Sequence, residues 1–120
     1  QAFMPGITAY VGNEPDLPTM GALGSTGAIS GLANFLPNTV RRMVKEHNGT
    51  NIAQDIQTIA RVLDTVRPHS LMPALKCIMA TVSGDEAWLR VRAPLVALTP
   101  QAQAELQNAW RALNIDAAQA

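Results

Sequence analysis

The chain has 120 residues, 48% of them hydrophobic and 15% charged, and its nine basic and nine acidic residues cancel to a net charge of zero. That is enough for one domain of ordinary size and too little for two. The balanced charge excludes the basic footprint of a nucleic-acid binder, and no apolar run approaches the roughly 20 residues of a membrane-spanning helix.

The basic residues are scattered. Their densest group, Arg41, Arg42 and Lys45, reads as a solvated helix face. Neither nucleic acid nor membrane is therefore an expected partner. The N-terminal residues show no basic region leading into an apolar one. The single cysteine, Cys77, has no partner for an internal disulfide, and both features fit a cytoplasmic location. Cys77 lies in the apolar residues 71–82 and reads as a small core residue. Gln1 in place of methionine leads us to expect that an upstream part has been removed or left out. Asn48-Gly49-Thr50 matches a glycosylation acceptor formally, but it reads better as a helix end followed by the next N-cap.

Taken in order, residues 6–11 form a β-prone run closed by Gly12-Asn13 and predict a strand. Glu14-Pro15-Asp16 opens a short helix with Asp16 as N-cap, ending near Gly24. Residues 26–30 predict the second strand and residues 32–36 the loop after it. Pro37 starts a helix to His47, with Val40, Met43, Val44 and His47 on one face, and Gly49 stops it. Thr50 or Asn51 caps a helix carrying Ile52, Ile56, Ile59, Ala60, Leu63 and Val66 on one face, closed by Pro68. Pro73 opens another, which buries Ala74, Leu75, Ile78, Met79 and Val82. Asp85-Glu86 starts a short turn through Trp88, and residues 90–98 read as extended around Pro94. Thr99-Pro100 is an N-cap and N1 pair for a last helix with Ala102, Leu106, Ala109, Trp110 and Leu113 inward, and residues 116–120 read as a fraying tail.

The chain is organised around residues 24–34, which gather three glycines, two serines and a threonine about the second strand. Small residues in such density let a backbone approach a ligand, a strand or a helix closely. A strand running into a helix through such a turn is also where α/β proteins place their site loops. Two parallel strands make a poor sheet by themselves, so the pattern reads as part of a larger α/β domain.

Val11-Gly12-Asn13-Glu14, then Gly27-Ala28-Ile29-Ser30 with seventeen positions from Gly12 to Ile29, then Ala33-Asn34 and Pro37, form an ordered set. This set resembles the dihydrodipicolinate synthase and N-acetylneuraminate lyase family. Arg92-Ala93-Pro94-Leu95, followed by Leu98-Thr99 and a helix, is similar to that family's C-terminal end. The resemblance implies the last two βα units of a (β/α)8 barrel in residues 1–49 and a C-terminal helical region in residues 50–120. A complete barrel takes about 250 residues. It further implies a parent lyase, an aldolase or synthase, that binds a 2-oxo acid such as pyruvate as a Schiff base on a lysine of the sixth strand. A tyrosine of the fifth strand would move the protons. Both groups would lie upstream of Gln1, so this segment would be inactive alone. Its partners would be the 2-oxo acid, the remainder of the barrel and further copies in a homotetramer. No cofactor or metal is implied.

Carried over residue by residue, the resemblance makes Gly12 and Ile29 the substrate-binding backbone positions, with Asn13 and Glu14 on the loop beside them. A glycine at a strand end lets backbone N–H groups reach a carboxylate. For Glu14 two readings stand: it accepts hydroxyls from the far end of a polyhydroxylated substrate, or it supports the local turn. Ser30 and Gly31 line either the pocket or the strand–helix contact, and Tyr10 reads as core. Where the family often carries aspartate, this chain has Asn13, which leaves the substrate class open.

The two lysines are poor substitutes for a Schiff-base lysine. Lys45 reads as a surface residue, and Lys76 lies mid-helix, away from the strand ends. His47 and His69 stand 22 positions apart, with no carboxylate or thiol at ligand spacing. The glycine-rich stretch lacks the Lys-Ser/Thr ending of a phosphate loop. The alternative from another class is a non-catalytic helical interaction module that offers the faces of residues 50–66 and 71–82 to a partner helix. The two β-prone runs are what such a module would not need.

Overall fold

The structure is a computed structural model and describes residues 5–120. Two parallel strands, β1 (Tyr10–Val11) and β2 (Gly27–Ala28), pair with Tyr10 opposite Gly27 and Val11 opposite Ala28. Five α-helices accompany them: α1 (Leu17–Ala22), α2 (Pro37–Lys45), α3 (Ile52–Val66), α4 (Leu71–Ser83) and α5 (Pro100–Leu113). Three 3-10 turns fall at Glu14–Asp16, Leu32–Asn34 and Glu86–Leu89. The chain divides into two compact units, residues 1–60 with 119–120, and residues 61–118, so the division falls inside α3.

In the first unit both strands are shorter than their β-prone runs, because only residues facing the other strand enter the ladder. That ladder is extended by Thr26 N–H donating to the Ala9 carbonyl at 2.8 Å and Ile29 N–H to the Val11 carbonyl at 3.0 Å. α1 ends at Ala22, and just past its C-cap Gly24, with a positive φ of 96°, turns the chain back towards β2. α1 and α2 then pack closely at Gly21, where a Cβ would stand 3.0 Å from the Val44 carbonyl oxygen and 3.1 Å from His47 Nδ1. Leu17, Leu32, Leu36 and Met43 are fully buried in this unit. The expected loop after β2 is partly a 3-10 turn.

Several expectations in this unit are corrected. Asp16 stands at the N-cap of α1 but makes no capping bond; its carboxylate accepts instead from Asn13 Nδ2 at 2.8 Å. α2 ends at Lys45, before His47. Arg42 is no solvated cation: its Nε and Nη2 grip Asp55 of α3 at 2.9 and 2.7 Å. That bond raises the already high pKa of Arg42, against the opposing effect of burial. The pairing also turns α3. Asp55, Ile59, Val62 and Val66 are buried, whereas Ile56 and Ala60 are exposed. A fork-on-carboxylate pair of this kind lets an acidic residue occupy a core position. The C-terminal tail does not fray outward: Ala120 is buried, and its carbonyl accepts from Thr39 N–H at 2.6 Å, satisfying a first-turn donor of α2.

In the second unit α4 begins at Leu71, two residues before Pro73, because a proline in the first turn forfeits no helical hydrogen bond. It buries Pro73, Ala74, Leu75, Cys77, Ile78 and Ala80; Val82, expected inside, is exposed, and Met79 is half-buried. α4 and α5 pack on one another, and Leu106 and Trp110 are the buried residues of α5. Thr99 caps α5 as its sequence predicts, its Oγ1 accepting from Ala102 N–H at 3.2 Å. Asp85 caps the 3-10 turn in the same way, accepting from Ala87 N–H at 2.9 Å. Cys77 is buried, with its Sγ 3.9 Å from the Gln103 carbonyl. Burial pushes its thiol pKa up, and the Arg111 charge opposes that shift.

Candidate functional site

The two strands run in parallel, so their C-terminal ends fall side by side, and the loops leaving them carry Gly12-Asn13-Glu14 and Ile29-Ser30-Gly31. The four residues expected to bind substrate are thus on neighbouring loops, although Glu14 and Ser30 stand sixteen positions apart in the chain.

Ile29 is the most open of them, with 75% of its surface exposed. Its N–H is engaged by the Val11 carbonyl at 3.0 Å, so of the two backbone groups at Ile29 the N–H is already used. Its carbonyl oxygen is the group on offer, and among the described residues nothing donates to it. That oxygen lies 3.8 Å from where a Cβ on Gly12 would stand. The distance is an ordinary contact, so the chain itself does not demand glycine there. No other heavy atom comes within 4 Å of that Cβ position.

Glu14 behaves differently. It is 9% exposed, and its Oε1 accepts from Ser30 Oγ at 2.6 Å and, more weakly, from Leu32 N–H at 3.5 Å. Ser30 Oγ in turn accepts from Ala33 N–H at 3.2 Å. The carboxylate therefore serves the start of the Leu32–Asn34 turn, directly at the Leu32 N–H and through the Ser30 hydroxyl at the Ala33 N–H, where negative charge is favoured. Asn13 is exposed and bonded to Asp16. The partnership of Glu14 with Ser30 had no local signal, since the two are joined only by strand pairing.

Tyr10, expected in the core, is 57% exposed. It stands opposite Gly27, and with no side chain there its ring lies across the glycine, 3.2 Å from the place of a Cβ. Lys45 is exposed and donates to the Thr26 carbonyl at 3.2 Å, at the opposite end of β2 from Ile29. Lys76 is half-buried on α4. Among the described residues no group of three or more His, Cys, Asp and Glu side chains could hold a metal ion. No helix there is long and apolar enough to cross a membrane.

Beside β2 and α2 runs a groove of about 220 Å³, floored by Ala28, Ala33, Pro37, Val40 and Val44 and flanked by Arg41 and Lys45. Among the described residues β2 is paired on one edge only.

Comparison with known proteins bears on this architecture. A solved dihydrodipicolinate synthase from Agrobacterium tumefaciens str. C58 is 35% identical, with a TM-score of 0.75 over 87% of this chain and 34% of that one. The dihydrodipicolinate synthase of the commensal bacterium Bacteroides thetaiotaomicron, 19% identical, superposes with a TM-score of 0.75 over 90% of this chain and 38% of its own, and bears on the fold alone. The chain thus spans about a third of the length of these solved relatives. No match is found among curated proteins. The model of the dihydrodipicolinate synthetase family matches residues 1–113, and the chain belongs to that family.

Proposed function

We propose that this chain is the closing part of a (β/α)8 barrel, the last two βα units and the C-terminal helices, in a lyase or synthase that holds pyruvate or a related 2-oxo acid as a lysine Schiff base. Family membership and the superposition on the Agrobacterium enzyme support the reading. So does the geometry: the sheet has free edges, and an apolar groove lies along β2, as suits strands and helices paired with further ones. The strand pair also weighs against a purely helical interaction module.

The observation that carries the reading is the Ile29 carbonyl at the C-terminal end of the strand pair, beside Gly12, to which no described residue donates. Site residues of barrel enzymes cluster at that end. When a lysine amine condenses with a ketone, water leaves and a protonated imine forms, which carries a positively charged N–H. A fixed carbonyl acceptor suits that donor or a substrate hydroxyl. Gly12 and Ile29 form the pocket wall, and Asn13 and Glu14 belong to the loop that supports it. The reacting lysine lies outside this chain: Lys45 bonds the far end of β2, and Lys76 stands on α4. The parent is a cytoplasmic homo-oligomer in this proposal, and the 120 residues alone are inactive.

The test is intact mass of the parent protein after incubation with pyruvate and borohydride, which adds hydride to the imine and fixes it as a secondary amine. One reduced pyruvate per chain is the expected result. An unchanged mass at saturating pyruvate would remove the Schiff-base mechanism.

A further inference from the structure

The Glu14–Ser30 bond is the shorter of the two links that the Glu14 carboxylate makes to the second strand-end loop, and it flanks the peptide group on which the pocket wall depends. Ile29 is held from one side by its own N–H on the Val11 carbonyl at 3.0 Å. Its carbonyl belongs to the peptide unit it shares with Ser30, and the direction of that carbonyl follows the torsions on either side. On the Ser30 side the chain is held by the hydroxyl, which donates to Glu14 Oε1 at 2.6 Å and accepts from Ala33 N–H at 3.2 Å. We propose that Glu14 and Ser30 are positioning residues that fix the direction of the Ile29 carbonyl at the pocket wall.

The alternative use of Glu14, as an acceptor for substrate hydroxyls, fits the geometry less well. Glu14 as a whole is 9% exposed in this chain, and polypeptide packed around these loops can only lower that value. A substrate hydroxyl would have to displace a short, charge-assisted bond and leave the Ser30 hydroxyl and the Leu32 N–H without their acceptor. Glu14 therefore acts through Ser30, and Ser30 through the peptide that precedes it. Neither touches the substrate.

This inference rests on the pyruvate reading above, and its test separates the two. The full-length parent is titrated with pyruvate under borohydride trapping, and the half-saturating concentration is read for the wild type, Ser30→Ala and Ser30→Thr, with a thermal melt of each. Ser30→Ala is expected to raise the half-saturating pyruvate concentration about tenfold, the order of one hydrogen bond to a charged group. Ser30→Thr keeps the hydroxyl and is expected to return it to within about threefold of the wild type. A Ser30→Ala protein with a lowered Tm and a half-saturation within about twofold of the wild type would overturn the inference and leave the pyruvate reading standing. A wild type that traps no pyruvate would remove that reading, and the inference with it. Should Ser30→Ala not accumulate as folded protein, Ser30→Cys, nearly isosteric and a weak donor, carries the same titration with the same two outcomes.

Discussion

The two compact units of this chain are held by different forces. In residues 1–60, every buried charged side chain of the described chain is found: Glu14 and Asp55, each with a partner on another segment. In residues 61–118 the buried side chains are apolar, from Val62 and Val66 through Ala74, Cys77 and Ile78 to Leu106, and the ion pair Arg67–Asp64 is exposed. Buried polar pins hold loops in one defined geometry, whereas apolar burial supplies stability with little direction. The contrast suits a chain whose first unit shapes a pocket wall and whose second is scaffold.

The contrast can be broken most severely in the apolar unit. Leu106 is fully buried, and Leu106→Ala is expected to cost about 3–4 kcal/mol in denaturant unfolding of the parent, through lost burial and the cavity left behind. A loss under about 1 kcal/mol would mean that the helices are not held by this core.

Arg42→Ala probes the polar unit. It leaves Asp55 buried without its partner and is expected to cost about 3 kcal/mol, whereas replacing both by apolar residues of similar volume should come close to neutral. Equal losses from the single and double changes would contradict the pairing. Arg42→Lys should recover only part of the loss, because one ammonium cannot make both bonds to Asp55.

Asp55 also shows where the sequence was legible and where it was not. Thr99-Pro100 carries its meaning locally, and the structure puts the cap where the pair predicts it. The helices were likewise readable as periodic segments. The face of α3 was not, since a carboxylate in the buried row is favourable only with an arginine thirteen residues earlier beside it. Glu14 was recognised as belonging to the strand-end loop, but its partner Ser30 is brought to it by strand pairing alone. Which backbone group of Ile29 is left over was not legible, because ladder register, which sequence does not display, uses its N–H.

Smaller effects sharpen the comparison. Thr99→Ala removes one N-cap bond of α5 and is expected to cost about 1 kcal/mol by thermal or urea unfolding. The smallest is a pH effect at Cys77. Burial holds its thiol pKa above the unfolded value. Its contribution to stability is therefore complete at neutral pH and below, and is lost as pH rises through the ordinary thiol range to the raised folded value. Stability curves of wild type and Cys77→Ala should diverge in shape only on that alkaline limb. The same alkaline slope in both proteins would show that Cys77 is not its source.

The measurement that meets the central claim most directly is a peptide map of the parent protein after pyruvate and borohydride treatment. The account predicts a single reduced adduct on a lysine outside these 120 residues, with Lys45 and Lys76 unmodified. An adduct on either of those two lysines would contradict the division between a pocket wall supplied here and a reacting amine supplied elsewhere.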